Sequence, residues 1–388
     1  MKTLDIKYSL DKLLQYIESE KYLGWDPFDG LSSPVFQLPV LQSSKLLRFG
    51  YQQVHRRLPF NIRPILAIKK EINPVTLGLC IQGYSYLSAF CPEKQEGYRT
   101  KIDWCLERLT ELKSSGFSGA CWGYNFDWES RYVRIPAFSP TVVATGFITN
   151  ALYDLYQLTE NKKAKELCID SVQFVMNDLN KTWDGNSFCY SYSSLDRQIV
   201  FNATMKGARL LSQVYSITKN TKIAEEAKNT IDFVMKFQRE DGSWTYSKND
   251  ARKWVDNFHT AYILDCLDTY IKLTGDSDYK SVLNKGLDYY FTNFFIDNCI
   301  PKYYGNIMFP IDSTAAAQSI ITACRFNRYN LAKKIVVWMI ENMQDSDGYF
   351  YYQKHRLFKN KISYMRWSNS WMFFALSYFL YKVKNDLD

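Results

Sequence analysis

VDNFHTAYILDCLDTY, residues 255–270, decides how this chain is read: a polar pair opens an apolar run long enough for a helix, and the arrangement recurs at a near-constant distance. VFNATMKGARLLSQVY (200–215) lies before it, and PIDSTAAAQSIITACRF (310–326) and RWSNSWMFFALSYFLY (366–381) lie after it. Asn202, Asn257, Asp312 and Asn369 follow one another at 55, 55 and 57 residues. Looser members are INPVTLGLCIQGYSYLSAF (72–90) and FSPTVVATGFITNALYDLY (138–156), with proline in the first helical turn, where it is tolerated. Six helix starts result.

A second ladder accompanies the first. Asp-Gly turns followed by aromatics occur at DGNSFCY from Asp184, DGSWTY from Asp241 and DGYFYY from Asp347, with a degenerate copy, DNCIPKYY, from Asp297. Between each apolar helix and the next aromatic loop lies an amphipathic helix such as KKAKELCIDSVQFVMNDL or TKIAEEAKNTIDFVMKFQ, with one charged face left for water. Units of this length are stacked helical hairpins, each unable to bury its apolar face alone. The sixth apolar helix ends near the C-terminus without an outer partner, while helices are expected near residues 5–20 and 40–57. The predicted fold is all-α, an (α/α)6 toroid spanning residues 1–388 as one domain, with N-terminal helices completing the last hairpin. A ring of five or seven hairpins is compatible with the same ladders.

Hydrophobic residues at 46% against 23% charged give enough apolar matter for a large core and exclude general disorder. The aromatic share is high, with 29 Tyr, 25 Phe and 10 Trp. Aromatics beside polar loops suit stacking on sugar rings, although most are expected to fill the interior. The net charge of +8 is scattered without a basic run, which argues against nucleic acid and leaves room for an acidic glycan or a lipid-linked phosphate. No stretch of 18 apolar residues is present, so no transmembrane segment is expected. Nine dispersed cysteines without a C-x-x-C, and the absence of a signal-like N-terminus, point to reduced thiols and a cytoplasmic location.

Inner helices opening with polar residues, amphipathic outer helices and aromatic rim loops resemble the six-hairpin glycosidase superfamily. WDPFDG from Trp25, CWGYNFDWESR from Cys121, WVDNFHT from Trp254, PKYY from Pro301, PID from Pro310, DGYFYY from Asp347 and YMRW from Tyr364 are together similar to a family encoded in bacterial capsule and exopolysaccharide gene clusters. That resemblance implies surface-polysaccharide biosynthesis as the setting. It brings no catalytic residues, and toroids host hydrolases, lyases, epimerases and prenyltransferases.

Chemistry must therefore come from the residues. WGYNFDWESR packs Trp122, Tyr124, Asp127, Trp128, Glu129 and Arg131 into one loop, where Asp127 and Glu129 are candidates for the acid and base of glycosidic cleavage. WVDNFHT offers Asp256, Asn257 and His259, with one of Asp256 and Asn257 expected to cap the helix and His259 expected to move protons. Asp196, Arg197, Asn202, Tyr303, Tyr304, Asp312, Tyr364, Arg366 and Trp367 complete the predicted rim. Asn257, His259, a tyrosine and Arg366 resemble the groups with which toroidal uronate lyases neutralise a carboxylate and abstract the C5 proton. FHTAYILDCL resembles a zinc-ligand segment of protein prenyltransferases, but the partner Asp and Cys are missing, and neither a metal nor a nucleotide cofactor is expected. The leading expectation is a glycoside hydrolase-like enzyme using a carboxylate pair on a glycan or lipid-linked oligosaccharide. The alternatives are a uronate lyase or C5-epimerase and a non-catalytic glycan- or partner-binding module.

Overall fold

The computed structural model describes residues 3–251 and 253–384, and among them the chain forms fourteen α-helices with only short strands between them. The inner ring consists of α4 (Pro74–Phe90), α6 (Val142–Thr159), α8 (Phe201–Thr218), α10 (Asn257–Thr274), α12 (Ser313–Arg325) and α14 (Trp371–Lys382). The outer ring consists of α1 (Thr3–Ser19), α5 (Gln95–Glu111), α7 (Lys162–Gln173), α9 (Thr221–Met235), α11 (Lys280–Asn293) and α13 (Tyr329–Met343). Each inner helix packs on its neighbours in the order of the chain, and α14 packs on α4, which closes the ring at six hairpins. Helix α1 lies against α13 and α14.

The inner helices are apolar nearly all round and almost wholly buried, whereas α5, α7, α9 and α11 bury one stripe. Their starts are set by side chains. Asn73, Thr141, Asp256 and Asp312 each accept a backbone N–H from the first turn, satisfying donors that would otherwise be orphaned. Asn202 and Asn257 lie within the first turn instead, one or two residues past the true caps Val200 and Asp256. Glu160, Lys219 and Gly275 end α6, α8 and α10 in the left-handed conformation and turn the chain into the outer helices.

Gly242 and Gly348 of the Asp-Gly ladder, and Gly119 ahead of α6, are points of close packing, whereas Gly185 turns in open space. A Cβ on Gly119 would collide with the Asp170 carbonyl of α7, on Gly242 with the Lys285 carbonyl of α11, and on Gly348 with the Lys12 carbonyl of α1. Helix α1 thus meets the last loop as α7 and α11 meet the earlier ones. Several of the aromatics beside these glycines face the core rather than a ligand. Trp122 Nε1 donates to the Leu109 carbonyl (2.8 Å) and Trp244 Nε1 to the Val234 carbonyl (3.1 Å), each reaching the preceding outer helix, and Phe188, Tyr190 and Phe350 are fully buried.

Only α1 of the N-terminal helices stands in the ring. The segment between α1 and α4, including α2 (Pro39–Ser43) and α3 (Lys45–His55), forms a cap over one end of the axis, with α3 against the strand Trp128–Glu129 and the 3₁₀ turn Asp29–Ser32. The cap is anchored by polar bonds from distant sequence. Arg63 Nε donates to Asp29 (2.8 and 3.0 Å), Arg366 grips Asp26 through Nε (2.5 Å) and Nη2 (2.9 Å), and Asn360 donates to the Leu58 carbonyl (3.0 Å). At the other end of the axis Asp154, Asp265, Gln82, Gln318, Arg209 and Arg325 form a buried polar layer.

Candidate functional site

Under the cap lies a cavity of about 440 Å³, at the end of the toroid where the inner helices begin. Its floor carries Phe147, Tyr262 and Trp371, one each from α6, α10 and α14, with the Phe147 ring edge-on to Tyr262 (centroids 5.2 Å apart) and to Trp371 (5.0 Å). Lys206 props this floor: it is fully buried, and its Nζ lies 3.9 Å from the Phe147 centroid and 3.6 Å from that of Tyr262. Burial pushes its pKa well below the usual lysine range. The walls are tyrosine-rich, and burial raises the pKa of Tyr124, Tyr192, Tyr262 and Tyr303, so they present neutral hydroxyls.

A histidine–carboxylate pair at the cavity is built by a helix cap. Asp256 accepts the backbone N–H of His259 through Oδ1 (2.9 Å), and its Oδ2 holds His259 Nδ1 at 2.6 Å. Cap and imidazole stand three residues apart, a spacing that brings both to one carboxylate. Asp256 is fully buried, whereas the His259 ring is 21% exposed and faces the cavity. With Nδ1–H donated to Asp256, Nε2 carries the lone pair, and it makes no hydrogen bond among the described residues. Tyr246 and Trp254 stack on each other at 4.6 Å and meet the imidazole edge-on at 4.8 and 5.5 Å, holding its plane.

A π-helical turn, Met365–Ser370, sets the facing wall. It aims both Arg366 and Trp367 into the cavity, a local widening of the kind often found at functional sites. Burial works against the Arg366 charge, but the Asp26 carboxylate outweighs it and the pKa moves up. The guanidinium lies over Tyr124 at 4.8 Å and Trp367 at 5.1 Å. Trp367 Nε1 donates to the Asp312 carboxylate (3.2 and 3.3 Å), which also caps α12 and accepts from Gln353 Nε2 (2.8 Å).

Of the residues singled out in the sequence, Tyr124, Trp128, Glu129, Arg131, Asn202, His259, Tyr303, Tyr304, Arg366 and Trp367 line this one cavity. Asp256 and Asp312 stand behind it as the partners of His259 and Trp367. The others do not reach it. Trp122 is a core plug with no exposed surface. Asp127 is tied to Arg134 and to the Ala137 N–H (2.9 Å), and it bends its own loop. Asp196 clamps a turn through the N–H groups of Tyr192, Ser193 and Gln198 (3.1, 2.8 and 2.9 Å), and Arg197 lies exposed on that turn. Asn257 is spent on Tyr290, Ser319 and the Lys302 carbonyl. Tyr364 is buried under the Arg63 guanidinium, 4.8 Å from its centroid. Asp127 and Glu129 therefore do not form a carboxylate pair in the cavity, and Glu129, 1% exposed, is matched by Arg48 at 2.6 Å.

The sequence reading passed over Phe28, Arg56 and Arg57 of the cap, Tyr192 and Tyr246 on the walls, and Asp250, which accepts from Trp254 Nε1 at 3.1 Å. Tyr246 closes the DGSWTY segment and Tyr192 stands two residues beyond DGNSFCY, so both belong to the aromatic ladder's neighbourhood. The cap has no repeat to betray it. No group of three or more potential metal ligands occurs among the described residues, and no described helix is long and apolar enough to cross a membrane.

No protein-family model matches the chain, and no curated protein matches it by sequence. Solved structures do. The chain is similar to cellobiose 2-epimerase from Bacillus thermoamylovorans (TM-score 0.61, 14% identity, covering 80% of this chain and 87% of that one). It is likewise similar to a GH76 α-mannanase from Bacteroides thetaiotaomicron (0.58, 15%, 80% and 87%). The Lin0763 protein of Listeria innocua matches over 97% of both chains (0.60, 13%). At these identities the likeness establishes the fold, an (α/α)6 toroid.

Proposed function

We propose that this chain is a carbohydrate-active enzyme that moves a proton at a sugar carbon next to a carbonyl, as an epimerase or isomerase does, with His259 as the acid–base group. The observation that carries the proposal is the Asp256–His259 pair, which presents a basic Nε2 to an aromatic-walled cavity large enough for a sugar. Asp256 fixes the tautomer and stabilises the imidazolium formed when His259 takes a proton. Arg366 and the neutral tyrosines supply donors for the oxyanion that develops as the carbon is deprotonated. The cellobiose 2-epimerase and the α-mannanase on the same fold support a carbohydrate substrate.

Hydrolysis through Asp127 and Glu129 is the less favoured chemistry, because it requires two carboxylates facing one another across the substrate and both are held by arginines. The resemblance of seven sequence segments to proteins of capsule and exopolysaccharide clusters supports a setting in surface-polysaccharide assembly. Nine unpaired cysteines support a cytoplasmic one.

The test is NMR of a panel of reducing sugars and uronosides incubated with the protein in deuterated water. Deuterium entering one ring carbon with wild type, and not with His259→Ala, is the expected result. New reducing ends without deuterium exchange would replace proton transfer by hydrolysis, and binding with neither would leave a glycan-binding protein.

A further inference from the structure

Apart from His259 Nε2 and the tyrosine hydroxyls, the cavity offers unspent donors and few free acceptors. Arg366 on its wall is matched by Asp26, and Arg48 and Arg134 nearby in the structure are spent on Glu129 and Asp127. Arg56 and Arg57 of the cap and Arg131 of the facing loop also line it, and no carboxylate among the described residues pairs with any of them. Arg56 is half-buried with its guanidinium 4.9 Å from the Phe28 centroid, which orients the charged plane, and Arg57 is steadied by Gln53 (2.8 and 2.9 Å). A second observation points the same way. The Asn202 Nδ2, on a residue 3% exposed, and the Gln198 Nε2 are buried on the cavity wall without an acceptor. The carboxylates on the wall, Glu129 and Asp250, are already bonded to protein groups. The inner helices α6, α8, α10 and α12 also begin at this end, adding a positive field.

The desolvated Asn202 and Gln198 amides are costly unless a ligand supplies acceptors, and beside them stand the half-buried Arg56 and the exposed Arg57 and Arg131, unmatched by a carboxylate among the described residues. We infer that Arg56, Arg57 and Arg131 form a subsite for an anionic group carried by the sugar, a carboxylate or a phosphate. Both offer the oxygens an arginine fork recognises. This rests on the proposed sugar substrate but not on its proton-transfer chemistry. It places the acidic group against the cap and the rest of the sugar over Phe147, Tyr262 and Trp371, within reach of Asn202.

The experiment is calorimetric titration of the whole chain with glucuronic acid, glucose 6-phosphate and glucose, at low and high salt. At least one acid is expected to bind about 10- to 100-fold tighter than glucose, since a hydrogen bond to a charged group contributes enough for that ratio. The advantage should shrink with salt. Whichever acid binds tighter identifies the carboxylate or the phosphate. In the double variant Arg56→Gln/Arg57→Gln the ratio should fall toward one. Arg131→Gln, on an exposed loop, gives the same comparison if the double variant melts early. Equal binding of acids and glucose, no binding of either acid, or a ratio indifferent to all three substitutions would overturn the subsite. Deuterium exchange on the same sugars separates the two readings: exchange without acid preference removes the subsite alone, and acid preference without exchange removes the proton-transfer chemistry alone.

Discussion

Replacing Asp256 by asparagine separates the two tasks that one carboxylate performs. Asparagine is as good a helix cap as aspartate, so its Oδ1 can still accept the His259 N–H that Asp256 accepts at 2.9 Å, and the cap's own contribution should change by less than ~0.5 kcal/mol. The second oxygen, however, is replaced by an amide NH2. It meets His259 Nδ1, now held at 2.6 Å as a donor, with another donor. The imidazole must then move its proton to Nε2 or turn away, and the lone pair facing the cavity is lost. Correctly placed acid–base catalysis contributes roughly 10²–10⁴ in rate, or about 2.7–5.4 kcal/mol of barrier at 1.36 kcal/mol per tenfold. The exchange rate should fall by that factor while the far-ultraviolet circular dichroism of the folded chain is kept. The tautomer can be read without any substrate, from ¹⁵N shifts of the labelled imidazole. Wild type should show Nδ1 protonated and Nε2 bare in the neutral form, and Asp256→Asn the reverse. An unchanged tautomer, or a variant retaining more than half of wild-type exchange, would refute the reasoning.

Other substitutions test the frame. Trp122→Ala should destabilise by about 3–5 kcal/mol in urea unfolding, as removal of a buried plug does, rather than act through sugar affinity. Gly348→Ala forces a Cβ at φ +98° into the Lys12 carbonyl and should cost clearly more than Gly185→Ala, at φ +62° with open space around it, where about 1–2 kcal/mol is expected; thermal melts compare the two. His55, the last residue of cap helix α3 and a neighbour of Arg63, has its pKa pushed down to about 3, by burial first and Arg63 second. The unfolded chain binds this proton below pH 6.5 and the folded chain does not. Stability should therefore drop by ~1.4 kcal/mol per pH unit between 6.5 and about 3, and His55→Gln should reduce the slope by one proton.

The ring is legible because its signals are local. The apolar runs starting at Asn202, Asn257 and Asp312 and the glycines of the aromatic loops each report on their own hairpin, and the repeat multiplies the report. The pairing of Asp256 with His259 is legible for the same reason, since cap and third helical residue are fixed in register by the helix itself. In WGYNFDWESR, by contrast, density of polar and aromatic residues does not say which way each side chain points. Trp122 turns into the core and Asp127 turns back to Arg134, while Tyr124 and Phe126 before it and Trp128, Glu129 and Arg131 after it reach the cavity. The cap is the least legible part. Its place depends on Asp26 meeting Arg366 across 340 residues and on Asn360 meeting Leu58 across 302, and no window of sequence contains both partners.

The Asp26–Arg366 clasp also bears on the order in which the molecule can acquire a site. Partners so far apart are brought together late, because the long loop they close is entropically expensive until the intervening hairpins have stacked. A chain that has stacked four or five hairpins already owns most of its core, yet it lacks the wall that Arg366 and Trp367 provide and the anchor that holds the cap. Binding of the proposed sugar is therefore a readout of ring closure itself. In refolding followed both by far-ultraviolet circular dichroism and by ligand binding, the helical signal should recover first and the binding signal last.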